Sequence, residues 1–441
     1  MSVGRIDATV VQLRRVRRAS VISLLLLGCS GKPSGAIDIV TGAETDVFTR
    51  APAPTRIVVE SFDTSGTATK LGEARLPAAT LDLAEQKQAT VATIRVTARD
   101  DGDAILASGS SLLMTLGSIS GRTLPIFVQR LGELARMPSP MPDGREDPIL
   151  SIVAGREVLV VGGTDGAIAT QSALYDLMAV GPTDSPPVMP FVPKSVVPVS
   201  AGALLIDDTR AQVVDLSVTP VTVKDAALPS GGIVSEVAGG PTVMADDGAA
   251  YVVGPARRTG TPTARVLKIA SDGTPSWITL AAPRLGAGAT WLTGRGLVVA
   301  GGSATASGVE VLAAGATASV PLGFPPDAGT WAAAPYDGNV IVLAAAGPPR
   351  SIDLGCASSC MSQPFSKDPG SVVVELHKGD AKGAFALARD ADGTTRAFIL
   401  GPMAAKEVPL KIPRKNARSV RLPTGAIAVV GGATTIESFR P

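Results

Sequence analysis

Three segments of this 441-residue chain are nearly the same sentence: Gly155–Gly163 (GREVLVVGG), Gly294–Gly302 (GRGLVVAGG) and Thr424–Gly432 (TGAIAVVGG). Each is a turn, an apolar strand and a glycine pair: Gly162-Gly163, Gly301-Gly302 and Gly431-Gly432. The closing glycines Gly163, Gly302 and Gly432 lie 139 and then 130 residues apart. Each interval is close to three units of about 40–50 residues, the period of a propeller blade. Weaker copies are therefore expected in the gaps, and four can be read: Ser200–Asp208, Asp246–Gly254, Asp337–Gly347 and Asp392–Gly401. Glycine, often as Asp-Gly, supplies the positive φ of a tight hairpin. The strand that follows is almost wholly apolar, as it must be where both faces of a sheet are covered.

After each apolar strand comes a variable loop and a triplet with a charged residue between apolar ones. Examples are Tyr175-Asp176-Leu177, Val214-Asp215-Leu216, Leu267-Lys268-Ile269, Val309-Glu310-Val311, Ile352-Asp353-Leu354 and, at the end, Ile436-Glu437-Ser438. Such a triplet reads as a strand with one exposed face. Lys406-Glu407-Val408 is its counterpart in the sixth copy, and fourth strands are expected at Ser276–Leu280 and Thr317–Leu322. The chain stops just past the third strand of the last copy. Pro125–Leu131 is expected to supply the missing fourth strand and close the ring.

The order of turn, apolar strand, glycine pair, loop and apolar-Glu-apolar triplet, with Arg284 and Met137–Met141 ahead of two of the copies, resembles kelch repeats of the galactose-oxidase-like type. The resemblance covers about 300 residues and implies an all-β fold: a seven-bladed kelch-like β-propeller. It does not carry over the oxidase chemistry, which needs two tyrosines and two histidines at copper, whereas this chain has three tyrosines and one histidine.

Ahead of the repeats, Ile37–Val40, Arg56–Ser61, Thr80–Leu83, Thr90–Thr97, Ile105–Ser108 and Ser111–Leu116 read as short strands separated by turn residues. Their number and size suggest a small Ig-like β-sandwich. Further upstream, four arginines (Arg14, Arg15, Arg17, Arg18) precede the apolar run Val21–Leu27, far below the ~20 residues that span a bilayer. The run fits a signal peptide. It ends in Leu26-Leu27-Gly28-Cys29, which resembles the lipobox of bacterial lipoproteins and implies a lipid on Cys29. The expected organisation is a signal peptide over 1–28, a tether over 29–36, a β-sandwich over 37–123 and the propeller over 124–441.

Cys356 and Cys360 lie in the loop CASSC, and export would let them form a disulfide. Two free thiols or half a zinc site are the alternatives, the second poorly supplied with ligands. The single His377 is read as a satisfied or solvent-facing side chain, so no multi-histidine metal centre is expected. Asp100–Asp103, Asp246–Gly248 and Asp390–Gly393 offer oxygen ligands, but each sits where a hairpin must turn. Only three tryptophans occur, and Trp291 and Trp331 open first strands, where packing rather than sugar stacking is expected. The balance of 40 Lys+Arg against 39 Asp+Glu gives no electrostatic case for nucleic acid. No catalytic set, metal or cofactor is expected. The expected protein is a lipid-anchored, outer-membrane component of the cell envelope that binds an envelope protein or glycan without catalysis. The alternative is a polysaccharide hydrolase or lyase using carboxylates at the propeller mouth.

Overall fold

The computed structural model describes residues 22–24, 36–77, 89–119, 122–164, 170–184, 186–200, 202–218, 220–356, 359–379 and 383–441. Cys29, most of the leader, all of the tether but Ala36, and the expected strand Thr80–Leu83 lie outside the described residues.

Among the described residues, seven sheets have four strands each, all paired antiparallel. Sheet 1 runs from Ile149–Val153 to Gly181–Pro182, sheet 2 from Ser195–Val199 to Thr222–Asp225, and sheet 3 from Thr242–Met244 to Pro275–Arg284. Sheet 4 runs from Gly288–Leu292 to Val320–Pro321, sheet 5 from Ala332–Asp337 to Gln363–Pro364, and sheet 6 from Val372–Lys378 to Ala404–Glu407. Sheet 7 holds Arg418–Arg421, Ile427–Val430 and Glu437–Phe439, with Leu134–Arg136 as its fourth strand. The first strand of each sheet touches the first strand of the next, and Arg418–Arg421 of sheet 7 touches Ile149–Val153 of sheet 1. First strands gathered around one axis, with the later strands stepping outward, make a β-propeller.

The apolar second strands explain why the sheets stack. In Glu157–Val161, Val158 and Val160 pack against Leu422, Ala428 and Val430 of sheet 7. The alternate residues Leu159 and Val161 pack against Val196, Ala203 and Leu205 of sheet 2. In Gly296–Ala300, Leu297 and Val299 join Tyr251 and Val253 of sheet 3, while Val298 and Ala300 join Ile341 and Leu343 of sheet 5. Successive side chains of a strand point to opposite faces, so each strand feeds two interfaces and has no face left for polar residues.

The N-terminal residues form two sheets. One has five strands in the order Ala68–Arg75, Arg56–Asp63, Val91–Arg99, Ile105–Ser110 and Gln129–Arg130, with Met114–Thr115 paired beside Val91–Arg99. The other joins Ile22–Leu24, Ala36–Val40 and Thr123–Phe127, the last pair parallel. Ile37, Ile39, Ile57, Val59, Ile94, Val96, Leu124 and Ile126 share one core between them.

Three sequence expectations are corrected. Pro125–Leu131 does not close sheet 7, because Thr123–Phe127 and Gln129–Arg130 belong to the N-terminal sheets; the closing strand is Leu134–Arg136, paired with Glu437–Phe439. In sheet 6 the second strand is Ala384–Arg389, so Thr395–Gly401 is the third and Ala404–Glu407 the fourth. After Ser111, only Met114–Thr115 is strand, and Leu116–Ile119 is a 3-10 turn.

The N-terminal sheets dock on the seam between sheets 7 and 1, at the end of the propeller where first strands turn into second strands. Gln129 Nε2 donates to Ser438 O at 2.8 Å, and Gly132 N donates to Arg440 O at 2.8 Å. Arg136 donates to Glu44 from both its amide and Nε, each at 2.9 Å. A cavity of about 30 Å³, lined among others by Ser110, Phe127, Leu177, Leu422 and Arg440, lies between the two parts.

Candidate functional site

The repeat glycines are scaffold, and their neighbours show how. Gly162, Gly163, Gly301, Gly302, Gly431 and Gly432 all have positive φ, between 67° and 103°. The turn they make exposes the carbonyl of the first glycine of each pair, and an arginine 17 residues upstream donates Nη1 to it: Arg145 to Gly162 at 3.2 Å, Arg284 to Gly301 at 2.7 Å, Arg414 to Gly431 at 3.0 Å. In sheets 4 and 7 a buried carboxylate neutralises the arginine. Arg284 Nε bonds Glu310 Oε1 at 2.8 Å, and Arg414 Nε bonds Glu437 Oε1 at 3.2 Å. In sheet 1 the residue in register with these glutamates is Ala173, and Asp143 supplies the carboxylate instead, at 2.8 Å from Arg145 Nε.

The charged triplets are therefore not all of one kind. Glu310 and Glu437 are 1% and 0% exposed, not on an open face as expected. Asp176, Asp215 and Asp353 sit instead at the strand end and accept the amide two residues on, from Met178, Ser217 and Gly355. Cys356 and Cys360 are bonded, with Cα atoms 5.7 Å apart. Among the described residues no group of three or more His, Cys, Asp or Glu could hold a metal ion. Asp100 and Asp392 accept the turn amides of Ala104 and Thr394. Trp331 is buried beside Gly301 and Gly329, Trp291 stacks on Tyr251 with centroids 5.6 Å apart, and Trp277 Nε1 donates to Pro229 O.

The charged chemistry gathers at the other end of the channel, where first strands begin and second strands end. Asp147 enters sheet 1, Arg418 opens the first strand of sheet 7, Arg389 ends the second strand of sheet 6, and Arg258 lies in the loop after the second strand of sheet 3. Asp147 Oδ1 accepts Arg389 Nη2 at 2.7 Å and pairs with Arg418 Nε at 2.8 Å. Arg418 Nη1 also reaches Glu375 Oε1 at 3.3 Å. The other oxygen of Glu375 takes the amide of Ser419 and its Oγ, the latter at 2.6 Å. His377 Nε2 lies 2.9 Å from that Oγ. Since Ser419 gives its proton to the carboxylate, His377 Nε2 is the donor in this contact. The hydroxyl lies between carboxylate and imidazole, whereas nucleophile activation requires the imidazole between the other two.

Asp147 and Asn416, facing each other across the seam, both have positive φ (51° and 47°). They are tied by Asp147 N to Asn416 O at 2.7 Å and by Asn416 Nδ2 to Glu146 Oε2 at 2.9 Å. Left-handed backbone at two non-glycine residues costs of order 1–2 kcal/mol each and persists because the surrounding bonds impose it. Burial alone would push the Asp147 carboxyl up, but Arg418 and Arg389 outweigh it and hold its pKa below the usual value. Burial likewise opposes the charge of Arg418, and Glu375 and Asp147 overcome it. Arg258 is depressed by burial and then by Arg418, with only Glu375 pulling the other way. His377 is depressed by burial, against Glu375 and with Arg421.

None of these mouth residues was singled out from the sequence except His377. One signal was available: Glu375 and Arg418 are charged residues in first strands, where a neighbouring sheet must supply their partners. Arg258 carries no comparable signal.

No protein-family model matches the chain, and no curated protein matches it. Among solved structures, the WD40 propeller domain of Doa1 is similar over 70% of this chain and 97% of its own, at 12% identity and a TM-score of 0.47. YCF48 bound to a D1 peptide is similar over 70% of this chain and 95% of its own, at 9% identity and a TM-score of 0.45.

Proposed function

We propose that the protein is a lipid-anchored cell-envelope component in which the seven sheets are the blades of one kelch-like ring. The N-terminal sheets would serve as a β-sandwich support, and the open mouth as a non-catalytic binding surface for an envelope protein or glycan. The observation that carries the reading is the mouth itself. Arg389, Asp147, Arg418 and Glu375, drawn from three neighbouring sheets, are cross-paired into a fixed constellation at the end of the channel opposite the docked N-terminal sheets. Pre-ordered charge of this kind lowers the ordering cost of binding. The buried arginine–carboxylate pairs behind the glycine turns support the kelch-like assignment. Loss of the leader would strip Ile22–Leu24 from Ala36–Val40 and leave its parallel pairing with Thr123–Phe127.

The test uses the soluble chain starting at Ser30, screened against envelope proteins and glycans beside an Arg389→Ala, Glu375→Ala double variant. Capture that the double variant loses, with its melting curve retained, supports the mouth as the binding surface. Capture that survives moves the surface elsewhere, and turnover of a glycan would refute a non-catalytic role. For the anchor, Cys29→Ala is expected to abolish fatty-acid labelling and release the chain from membranes; unchanged labelling refutes it.

A further inference from the structure

Where the N-terminal sheets meet the propeller, a half-buried cation stands beside a cavity without a counter-ion. The cavity of about 30 Å³ has Ser110, Gln129, Thr424, Ser438 and Arg440 as its polar lining. The Arg440 guanidinium donates Nη1 to Ser110 Oγ at 3.1 Å and Nη2 to the Thr424 carbonyl at 2.8 Å, both neutral acceptors, and its Nε has no partner among the described residues. The carboxylates of the junction are engaged elsewhere: Glu44 by Arg136, Glu133 by Arg50 and Lys411, and Glu437 by Arg414. Arg130, the other arginine buried at this junction, shows the contrast. Its Nε, Nη1 and Nη2 all donate to carbonyls, those of Val47, Pro52 and Arg50. Three hydroxyl protons at the cavity are unspent as well. Ser110 Oγ accepts from Arg440 and so keeps its own proton to give, and the hydroxyls of Thr424 and Ser438 make no hydrogen bond among the described residues. Burial and then Arg95 push the Arg440 pKa down to about 10, the mark of a charge that the fold encloses without answering.

We infer that this cavity is a site for one monovalent anion of chloride size, held by the Arg440 guanidinium and the hydroxyls of Ser110, Thr424 and Ser438. The lining offers donors in excess and no negative charge, which is what an anion supplies and a water does not. Size narrows the choice. A water needs roughly 10–15 Å³ of such space, so about 30 Å³ holds a pair of waters or one halide and is too small for phosphate or a sugar acid. In a partly desolvated junction the attraction between guanidinium and anion exceeds its value in bulk water. Ser110 ends a strand of the N-terminal sheet, whereas Thr424, Ser438 and Arg440 belong to sheet 7, so a bound anion would fasten one part to the other. The site lies at the docking end of the propeller, and its failure would leave the reading of the mouth untouched.

The experiment follows the melting temperature of the purified protein at constant ionic strength while sodium chloride replaces sodium gluconate, whose anion is too large for the cavity. A saturable rise with chloride is expected, because an ion that binds only the folded chain stabilises it. Arg440→Gln is expected to abolish the rise or to increase the half-saturating chloride about tenfold or more. Thr424→Ala keeps the carbonyl that Arg440 uses and removes only the hydroxyl, so it tests the site even if Arg440→Gln does not fold. It is expected to increase the half-saturating chloride about fivefold. Crystals soaked in sodium bromide are expected to show bromide at hydrogen-bond distance from the guanidinium. The anion site is overturned if chloride and gluconate give the same melting temperature in the parent, if Thr424→Ala and every folded Arg440 variant respond to chloride as the parent does, or if the cavity holds only water in bromide.

Discussion

Glu310→Gln removes one charge and no volume, and its cost can be worked from the hydrogen bonds around it. The carboxylate accepts four donors: Oε1 takes Arg284 Nε at 2.8 Å and Nη2 at 2.7 Å, and Oε2 takes Ala281 N and Ser319 Oγ, both at 2.7 Å. An amide has one oxygen, which can stay with Arg284, and its NH₂ then faces Ala281 N and Ser319 Oγ. Ala281 N keeps Ser319 Oγ as a second acceptor at 3.0 Å, and the hydroxyl can turn to accept from the NH₂, so the loss falls on Arg284, which is 0% exposed and left without a counter-charge. Breaking a buried ion pair by removing one partner costs about 3–5 kcal/mol. Sheet 1 is the internal control. Asp143, the carboxylate on Arg145, is 24% exposed, and Arg145 keeps the carbonyls of Gly162 and Gln171 when it is lost. Asp143→Asn should therefore cost only about 1–2 kcal/mol. Denaturant melts of the two variants beside the parent read both values from the midpoints. An Glu310→Gln loss within about 1 kcal/mol of the parent, or an Asp143→Asn loss as large as that of Glu310→Gln, would refute the reasoning.

Gly301→Ala combines φ +80° with a new Cβ 2.3 Å from Trp331 Cδ1, and about 2–5 kcal/mol is expected; Gly155→Ala, at φ +64° in open space, should cost about 1–2 kcal/mol, and equal midpoints would dismiss the close approach. Removing Glu437–Pro441 takes away the partner of Leu134–Arg136, the carboxylate of Arg414 and Phe439, which packs on Phe385 at 4.9 Å. The whole propeller is expected to lose its cooperative transition, and a protease-resistant core of sheets 1–6 would contradict this. His377 has a folded pKa below its ordinary 6.5, so the unfolded chain binds the extra proton first and stability falls as pH drops through 6.5 toward the folded value. Glu375, Arg421 and Ser419 face the ring. His377→Gln should flatten the pH dependence of the melting temperature in that window, and an unchanged slope would show that His377 is not its source.

How much of this was readable follows from what each residue must satisfy. A second strand covered on both faces has no alternative to a continuous apolar run, which is why Glu157–Val161, Gly296–Ala300 and Ile427–Val430 stand out in the bare sequence. In sheet 6 the sequence pattern points one strand late, because Ala384–Arg389 is not followed by a glycine pair, whereas Thr395–Gly401 ends in glycine. The closing strand is hidden for a related reason. Apolar content marks burial but not the partner, and Ile126 and Val128 are buried in the N-terminal core, while the three residues that do close the ring carry little pattern of their own. Triplets with a central charge look alike until their register against the glycine pair is known. Only then do Glu310 and Glu437 separate from Asp176 and Asp353.

The mouth was least legible because its residues come from four sheets, and their meeting depends on where the ring closes. Asp147 and Arg418 become neighbours only when the two ends of the propeller are joined, so their ion pair is as much a product of closure as the pairing of Leu134–Arg136 with Glu437–Phe439. The two lie at opposite ends of one seam. At the far end, the pKa of the half-buried Arg440 is pushed down to about 10 by burial and then by Arg95, and its guanidinium donates to Ser110 Oγ and Thr424 O. At the mouth, the left-handed Asp147 and Asn416 are held by bonds that cross from sheet 7 to sheet 1. A perturbation that loosens the N-terminal docking should therefore reach the mouth through the seam before it reaches sheets 3 and 4. The carboxylate that orients Arg389 and Arg418 sits on the junction that docking secures.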